Sequence, residues 1–210
     1  MALTFSVTGS GERLVLDRYD LVVAGYTGRD EASVKKHIDE LAAIGVAPPD
    51  SVPAFYPLDP SLATQAGEIT VEGPNTSGEV EPVLIRASGK RYLTVGSDHT
   101  DRDIEVESVA RSKAACPKPV GTKVVPVDDP DWDAISMTST VDGAAYQDGL
   151  LTALRVPTDV LDLYQGGAGD LVMLCGTLPL LNGEFVAGTE WTLSMTLPGG
   201  DELAHSYSVR

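Results

Sequence analysis

Two glutamates at alternate positions of one strand-like segment, Glu79 and Glu81 in EVEPVLIR, are the first candidates for chemistry in this sequence. Residues at i and i+2 of a strand point to the same face, so these two carboxylates lie side by side. Two negative charges that close together need a cation, and carboxylate oxygens are the ligands that a hard ion such as Mg²⁺ prefers. The spacing therefore indicates a site for a hard divalent cation.

A third acidic residue, Asp98, follows the apolar segment RYLTV in the stretch GSDHTDRD. The intervening RASGK contains Ser88 and Gly89, which suit a tight turn, so a hairpin would bring Asp98 close to the two glutamates. The spacing alone leaves a second interpretation open, because acid-x-acid triplets such as DRD and EVE are expected by chance in a chain this acidic. A solvated surface turn is the alternative to a metal site.

His37 and Glu40 lie in the segment DEASVKKHIDELAAIG, whose apolar residues recur at helical spacing. One helical turn separates the two, so both can face one cleft while Val34, Ile38 and Leu41 hold the helix against the protein. This geometry suits a catalytic dyad. The alternative is an exposed helix with ordinary ion pairs, because KKHIDE is highly polar.

The charge of the chain limits its partners. It has 15 basic and 31 acidic residues and a formal net charge of −16, which repels phosphate backbones and anionic membrane surfaces. We therefore expect no nucleic-acid or membrane partner, and no apolar run reaches the roughly 18 to 20 residues of a membrane span. Only Cys116 and Cys175 are present, without a spacing that pairs them, which favours a reduced, cytoplasmic compartment.

The elements that must position the candidate residues are mostly strands. TFSV and RLVL predict an opening hairpin, LVVAGYTG predicts a buried strand, and the segment around His37 predicts a helix that ends at Gly45. The proline-rich stretch APPDSVPAFYPLDPSLAT is predicted to be a loop that covers a cleft. One short helix is expected near residues 159–165, and the remaining strands are predicted at EITVEG, EVEPVLIRA, RYLTVGS, TKVVPV, SMTSTVDG, DLVMLCGT, EWTLSMTL and LAHSYSV.

The order of these motifs resembles that of the fumarylacetoacetate hydrolase superfamily from about Leu21 to the C-terminus. Members have a strand ending in a Gly-x-Asn-Tyr-like turn, a helix with His-x-x-Glu and a loop like FLKPPS, where this chain has LVVAGYTGRD, HIDE and AFYPLDPSL. A Glu-x-Glu strand, an NDVTARD-like turn, a lysine before Cys-Pro and a TGTP turn follow. Here GEVEPVLIRASG, SDHTDRD, SKAACPKPVG and LCGTLP occur in that order. The chain is most similar to a bacterial branch whose members are largely uncharacterised.

The resemblance implies an architecture. The fold class would be α+β and mostly β, with a mixed sheet rolled into a barrel-like body. We expect one domain over residues 1–210, in which 1–67 hold the hairpin, a lid helix and the proline-rich loop, and 68–210 form the β-rich catalytic body. Members of the superfamily commonly form homodimers, and a homodimer is expected here.

The resemblance also implies a site. The roles that it carries onto this chain are Mg²⁺ or Mn²⁺ ligands Glu79, Glu81 and Asp98, an acid–base pair His37 and Glu40 on a mobile lid, an enolate- or carboxylate-stabilising Lys113, and a substrate-binding Thr177. Lys118 and Arg111 stay alternatives to Lys113, because fewer residues than usual separate it from Cys116. Leu58 stands about where the FLKPPS lysine would be, so the substrate contacts depart from the superfamily pattern.

Two further predictions concern the GSDHTDRD stretch. Arg102 and Asp103 match the Ala-Arg-Asp step of the superfamily and are expected to brace the turn through paired charge and hydrogen bonds. His99 has no counterpart there. It is expected to support the site from behind or to lie at the surface, not to bind the metal.

The implied chemistry is that of small 2-oxo acids: a cation chelates the 2-oxo carboxylate, polarises the ketone and stabilises an enolate. Superfamily members use this arrangement for hydrolysis of acylpyruvates, decarboxylation, isomerisation, hydration or dehydration. We predict a metal-dependent hydrolase or lyase, with acylpyruvate C–C cleavage or oxaloacetate-type decarboxylation as its reaction. The alternatives are a non-catalytic acidic β-rich binding module that kept the scaffold, and a calcium-binding structural protein, which needs more oxygen ligands than three carboxylates supply.

Overall fold

Strands dominate the protein in the computed structural model, which describes residues 2–43, 47–127 and 130–210 apart from the side chains of His37 and Leu41. Within these ranges the strands are β1 (Leu3–Val7), β2 (Arg13–Leu16), β3 (Asp20–Gly25), β4 (Ala54–Leu58), β5 (Ala63–Thr64), β6 (Glu68–Ile69), β7 (Thr76–Ser77), β8 (Val80–Ala87), β9 (Lys90–Ser97), β10 (Thr100–Asp101), β11 (Lys118–Pro119), β12 (Lys123–Pro126), β13 (Ser136–Val141), β14 (Ala144–Leu150), β15 (Leu171–Leu174), β16 (Glu190–Thr196) and β17 (Glu202–Val209). The α-helices are α1 (Glu31–Ala43), α2 (Arg102–Glu105), α3 (Val109–Ala114) and α4 (Pro157–Leu163). The predicted class, α+β and mostly β, is confirmed.

The larger sheet contains eight strands in the order β2-β1-β12-β9-β8-β15-β3-β4 and mixes parallel with antiparallel pairs. It curls into a half-barrel, as the resemblance implied. Val23 and Val83 belong to one buried apolar cluster, whereas their chain neighbours Val22 and Leu84 belong to another that includes residues of α4. Because successive strand residues point to opposite faces, both faces of the sheet centre are covered.

A second sheet of five strands, in the order β14-β13-β16-β17-β6, packs against the β8–β9 hairpin. Leu93 and Val95 of β9 share a buried cluster with Met137, Trp191 and Tyr207 from this sheet. Burial of large aromatic and aliphatic side chains contributes roughly 1.5–3 kcal/mol each. The end of the β8–β9 hairpin is therefore packed against buried apolar side chains of the second sheet.

Several predicted elements are present. The opening hairpin is β1 and β2, and the short helix predicted near residues 159–165 is α4, which begins at Pro157. The helix around His37 is α1, but the predicted end at Gly45 lies outside the described residues. In the portion of the chain that the structure describes, none of the helices combines the length and the apolar character that crossing a membrane requires.

The proline-rich segment was predicted to be a loop, and this is wrong for its second half. Residues Ala54–Leu58 form β4, which pairs antiparallel with β3 at the edge of the larger sheet. Pro57 has no N–H to donate, and an edge strand tolerates this because one side of it needs no sheet partner. The strand β14 was also missed by the sequence patterns.

Two short helices, α2 and α3, follow Asp98 where the sequence pattern predicted mainly strands. Each begins at a side-chain cap: the Asp101 carboxylate accepts hydrogen bonds from the amides of Asp103 and Ile104, and the Ser108 hydroxyl accepts one from the amide of Arg111. Capping of this kind satisfies N–H groups that the first helical turn leaves unpaired. The two helices carry Arg102 and Lys113 to the carboxylates described below.

Candidate active site

The β8–β9 hairpin aligns the three predicted carboxylates on one face. Its turn residues Ser88 and Gly89 have φ values of 49° and 79°, as a two-residue hairpin turn requires. The register pairs Glu81 with Gly96, and the amide of Asp98 donates to the carbonyl of Glu79 over 3.0 Å. Glu79 and Asp98 are therefore opposite each other, with Glu81 two residues further along the same face.

Asp98 is fully buried and lies between two lysines. Its Oδ2 accepts a hydrogen bond from the Lys113 ammonium, and its Oδ1 lies 3.0 Å from Nζ of Lys118. Lys118 also donates to the carbonyl of His99 at 2.5 Å. Burial opposes the charge on Asp98, but the two ammonium groups outweigh it and hold the pKa of this carboxyl well below its usual range.

The two lysines differ in how well their charges are supported. Burial opposes the ammonium of Lys113, but Asp98, Glu79 and Glu81 together raise its pKa above the usual value. For Lys118, burial is the largest influence and the positive charge of Lys113 adds to it, so its pKa is lowered despite the contact with Asp98. Because its pKa is raised by all three carboxylates, Lys113 is the lysine that stays protonated beside them.

Glu81 is buried beside these charges. Its Oε2 accepts a hydrogen bond from the amide of Gly176 at 2.8 Å. Burial first, and the negative charge of Asp98 second, raise the pKa of this carboxyl well above its usual value. Gly176 has φ of 105° and a Cβ there would lie 1.7 Å from Oγ1 of Thr27, so only glycine brings this amide to Glu81.

The predicted substrate residue Thr177 follows Gly176 directly. Its hydroxyl donates to the carbonyl of Val80 at 2.9 Å and accepts from the side-chain amide of Gln147 at 2.7 Å. These bonds tie the turn to the first residue of β8, next to both glutamates. A substrate role for Thr177 stays a prediction.

Glu79 is held by Arg102, which lies in α2. One Oε of Glu79 is 3.3 Å from the guanidinium, which also pairs with Glu105 at 2.8 Å and donates to the hydroxyl of Ser77 at 2.7 Å. The ring of Phe185 covers the guanidinium at 3.6 Å from its centroid. Arg102 thus makes contacts of the kind predicted for it, and the Asp103 carboxylate accepts a hydrogen bond from Asn75 at 2.8 Å.

These oxygen donors suit a hard divalent cation in their chemistry. In the conformation described for residues 2–43, 47–127 and 130–210, no three Asp, Glu, His or Cys side chains gather closely enough to hold one ion. Each carboxylate contacts a different partner instead: Asp98 pairs with Lys113, Glu79 pairs with Arg102, and Glu81 accepts a hydrogen bond from the amide of Gly176. The register nevertheless fixes all three on one face, where the negative charge of Asp98 adds to burial in raising the pKa of Glu81. The donor set therefore fits Mg²⁺ or Mn²⁺, with Glu79, Glu81 and Asp98 as the residues that would hold it.

His99 is buried next to Asp98. Of the two positions expected for it, the structure agrees with the supporting one and not with the surface one. Its Nδ1 lies 3.0 Å from the hydroxyl of Tyr207 and its Nε2 lies 3.0 Å from the hydroxyl of Thr76. Burial first, and the charges of Lys118 and Arg102 next, lower the pKa of the imidazole to about 3. A neutral His99 therefore anchors the turn through hydrogen bonds.

The predicted dyad of His37 and Glu40 lies on α1. The Glu40 side chain is 59% exposed and is 3.5 Å from Nζ of Lys36, which is the exposed ion pair that the polar sequence KKHIDE allowed. The side chain of His37 lies outside the described part of the chain. A joint role for the two stays a prediction.

Two tyrosines that the sequence patterns missed reach the site from β3 and β4. Tyr26 follows β3 directly and has φ of 57°, a left-handed conformation that is uncommon outside glycine. Its hydroxyl shares a hydrogen bond with that of Tyr56, and the ring centroid of Tyr56 is 5.8 Å from Nζ of Lys113. Burial and the neighbouring Tyr26 raise the pKa of Tyr56 to about 12, so it stays a neutral hydrogen-bonding group. The positive φ was not readable from GYTG, where only the flanking glycines hinted at a turn.

A cleft of about 330 Å³ opens beside Tyr56. Its walls are residues 47–51 of the proline-rich segment, residues 54–56 at the start of β4, and residues 107–110 before and within α3. Lys113 lies near this cleft, because its Nζ is 5.8 Å from the ring centroid of the wall residue Tyr56 and because Val109 and Ala110 precede it by one turn of α3. The proline-rich segment therefore borders a cleft, and that it covers the cleft stays a prediction.

The chain matches the model of one protein family over most of its length. A family model described as a protein of unknown function, DUF2848, matches residues 24–207. No curated protein is similar enough to this chain in sequence to count as a match.

Solved structures show the fold more directly. A fumarylacetoacetate hydrolase family protein from Yersinia pestis CO92 superposes with a TM-score of 0.64 at 16% identity, over 93% of this chain and 96% of that one. A 5-carboxymethyl-2-hydroxymuconate delta-isomerase from Mycobacterium smegmatis gives 0.61 at 17% identity, over 96% and 86%. A 2-hydroxyhepta-2,4-diene-1,7-dioate isomerase from Mycobacterium marinum gives 0.59 at 14% identity, over 95% and 81%. The chain has the fold of fumarylacetoacetate hydrolase family proteins, and it belongs to the family described as protein of unknown function DUF2848.

Proposed function

We propose that this protein is a divalent-metal-dependent hydrolase or lyase that acts on a small 2-oxo acid. The observation that carries the proposal is the register of the β8–β9 hairpin, which aligns Glu79, Glu81 and Asp98 on one face beside the charged Lys113. When bound by these carboxylates, Mg²⁺ or Mn²⁺ would act as a Lewis acid toward the 2-oxo carboxylate. The names of the two isomerases whose structures are similar to this chain support an enzyme that acts on a small organic acid.

The role that we propose for Lys113 is to stabilise negative charge that develops on the substrate. In hydrolysis of an acylpyruvate, water adds to the C4 carbonyl, the C3–C4 bond breaks, and its electron pair moves toward the C2 oxygen. The Lys113 ammonium, kept charged by three carboxylates, would stabilise the negative charge that develops there. Protonation of C3 then releases pyruvate, and the acyl group leaves as a carboxylate. His37 and Glu40 on α1 are the proposed acid–base pair for these proton transfers.

Metal binding is the first test. Thermal unfolding should shift upward with millimolar Mg²⁺ or Mn²⁺ beyond the shift in NaCl of matched ionic strength, because a ligand of the native state adds about 2.7 kcal/mol at 100 times its Kd. Glu81→Gln should lose this metal-specific shift, whereas Glu12→Gln, an exposed control on the β1–β2 connection, should keep it. A wild-type protein that responds equally to Mg²⁺ and matched salt would contradict the proposal.

Turnover separates the enzyme from a binding module that kept the scaffold. Pyruvate release should be measured with acetylpyruvate and with oxaloacetate in the presence of Mg²⁺ or Mn²⁺. Activity that falls at least a hundredfold in Lys113→Met supports the enzyme, because removing one positioned electrostatic group costs about 10²–10³ in kcat. Metal binding without turnover of any 2-oxo acid would favour the binding module.

We also propose that the protein forms a homodimer.

A further inference from the structure

The approach to Lys113 is lined by neutral groups. Tyr26 and Tyr56 share a hydrogen bond between their hydroxyls, and both phenols are half-buried. Tyr56 lines the cleft, and its ring centroid lies 5.8 Å from Nζ of Lys113. A cation beside the cleft mouth would suit a substrate with a second carboxylate. The chain offers two phenols there instead.

The local backbone is built for this pair. The register of β3 and β4 pairs Gly25 with Ala54, and a Cβ on Gly25 would lie 3.0 Å from Cε2 of Tyr56, so glycine leaves the space that the ring fills. The left-handed φ of Tyr26 turns the chain directly after Gly25. Residues other than glycine hold such a conformation only where the surroundings determine it, and this often happens at functional sites.

The cleft itself also lacks positive charge. Among its described lining residues none is Lys, Arg or His, whereas Asp50 and Glu107 are both acidic. Glu107 is exposed and pairs with Arg111 at 3.1 Å, so its repulsion is discounted for that pair and for solvent screening. Asp50 is exposed as well, so its repulsion is also screened by solvent. The two neutral phenols therefore carry more weight than either acidic residue.

We propose that Tyr26 and Tyr56 select 2-oxo acids whose end distal to the 2-oxo carboxylate is uncharged, and that they disfavour a second carboxylate. This inference rests on the proposed function, in which the 2-oxo carboxylate is bound at Lys113 and the metal ligands. The phenols donate hydrogen bonds to a neutral carbonyl or contact an alkyl group through their rings, but they supply no charge to offset a desolvated carboxylate. Of the two reactions proposed above, cleavage of a neutral acylpyruvate is then favoured over decarboxylation of oxaloacetate.

The test uses two ligands of equal chain length, 2-oxopentanoate and 2-oxoglutarate, which differ by a methyl group and a carboxylate at the distal end. Calorimetric titration into the full-length protein with saturating Mg²⁺ should show at least tenfold tighter binding of 2-oxopentanoate. Tyr56→Lys should reduce or reverse that ratio, because its ammonium would pair with the distal carboxylate. Val15→Lys, on the exposed edge strand β2 at the opposite end of the sheet, adds the same charge and should leave the ratio as in the wild type.

Tyr26→Lys is the second variant, used if a melting curve shows that Tyr56→Lys does not fold. Equal binding of the two ligands by the wild type would overturn the inference, as would a ratio that the folded lysine variant leaves unchanged. Failure of the wild type to bind either 2-oxo acid would overturn the proposed function together with the inference. The two failures are therefore distinguishable.

Discussion

At the scale of single residues, the site is a compact set of opposed charges in a buried place. Asp98 compensates two ammonium groups, Lys113 and Lys118, and Arg102 compensates Glu79. Buried ion pairs of this kind add little net stability, because desolvation offsets most of the Coulomb attraction. Their arrangement is better explained by what they hold in place, which is a firmly charged Lys113 beside three carboxylates.

Glu81 should make the stability of the metal-free protein depend on pH. Its folded pKa is raised above the usual value of 4.5 by burial and by Asp98, so the native state binds this proton more strongly than the unfolded chain does. The stability that the protonated group contributes is complete below the unfolded pKa and is lost as pH rises through the folded pKa. Between these two values, wild-type stability should fall relative to Glu81→Gln by up to about 1.4 kcal/mol per pH unit.

Urea unfolding in EDTA, from pH 4.5 upward to 8, measures this difference. Glu12→Gln should run parallel to the wild type over the same interval, because Glu12 is exposed. A constant difference between wild type and Glu81→Gln at every pH would contradict the assignment of Glu81 as the buried carboxyl with the raised pKa.

At the scale of elements, the β8–β9 hairpin and the capped helices α2 and α3 assemble the site. The hairpin sets the register of the carboxylates, and the helices bring Arg102 and Lys113 to them. Gly96 lies directly opposite Glu81 in this ladder. A Cβ at Gly96 would lie 2.7 Å from Cγ2 of Val83 and 2.8 Å from the carbonyl oxygen of Pro119, so the crossing of β11 and β9 depends on its absence.

Gly96→Ala should therefore destabilise the protein by about 1–3 kcal/mol, the usual cost of overpacking, and should weaken Mg²⁺ binding by shifting β9 against β8. The contact with a backbone oxygen leaves no flexible side chain to give way. Gly67→Ala is the matched control, since a Cβ there meets no atom within 4 Å. Urea unfolding compares the two variants, and equal midpoints would show that the hairpin accommodates the extra carbon.

At the scale of the whole molecule, strands from the first 67 residues pair with strands from the remainder, as β1 does with β12 and β3 with β15. The net charge of −16 disfavours association through unspecific contacts, so a homodimer needs a specific interface. We expect light scattering after size exclusion to give about twice the 22.1 kDa mass of one chain. The same mass should be found at low and high salt, and a single-chain mass at micromolar concentration would contradict the expected dimer.

Some of this architecture was predictable because it depends on local pattern. Apolar strand-like runs predicted the strands β8 and β9, and Ser88-Gly89 predicted the turn that joins them. The strand β4 was missed because prolines normally oppose strands, and only the pairing of β4 at a sheet edge removes that objection. The helices α2 and α3 were missed because they are short, and their capping residues Asp101 and Ser108 lie in a stretch that also suited a solvated turn.

The sequence by itself determined the fold class, through its resemblance to a known superfamily. It also determined the face on which Glu79, Glu81 and Asp98 lie, because strand periodicity and a two-residue turn fix register within one hairpin. It did not determine that Asp98 lies between two lysines, or that the amide of Gly176 donates a hydrogen bond to Glu81. Nor did it determine that Tyr26 and Tyr56 contact each other beside Lys113. Those contacts join residues far apart in the chain, and only the packing of the sheets and the short helices brings them together. Burial then sets the charge states, since the same side chains in water would keep their ordinary pKa values.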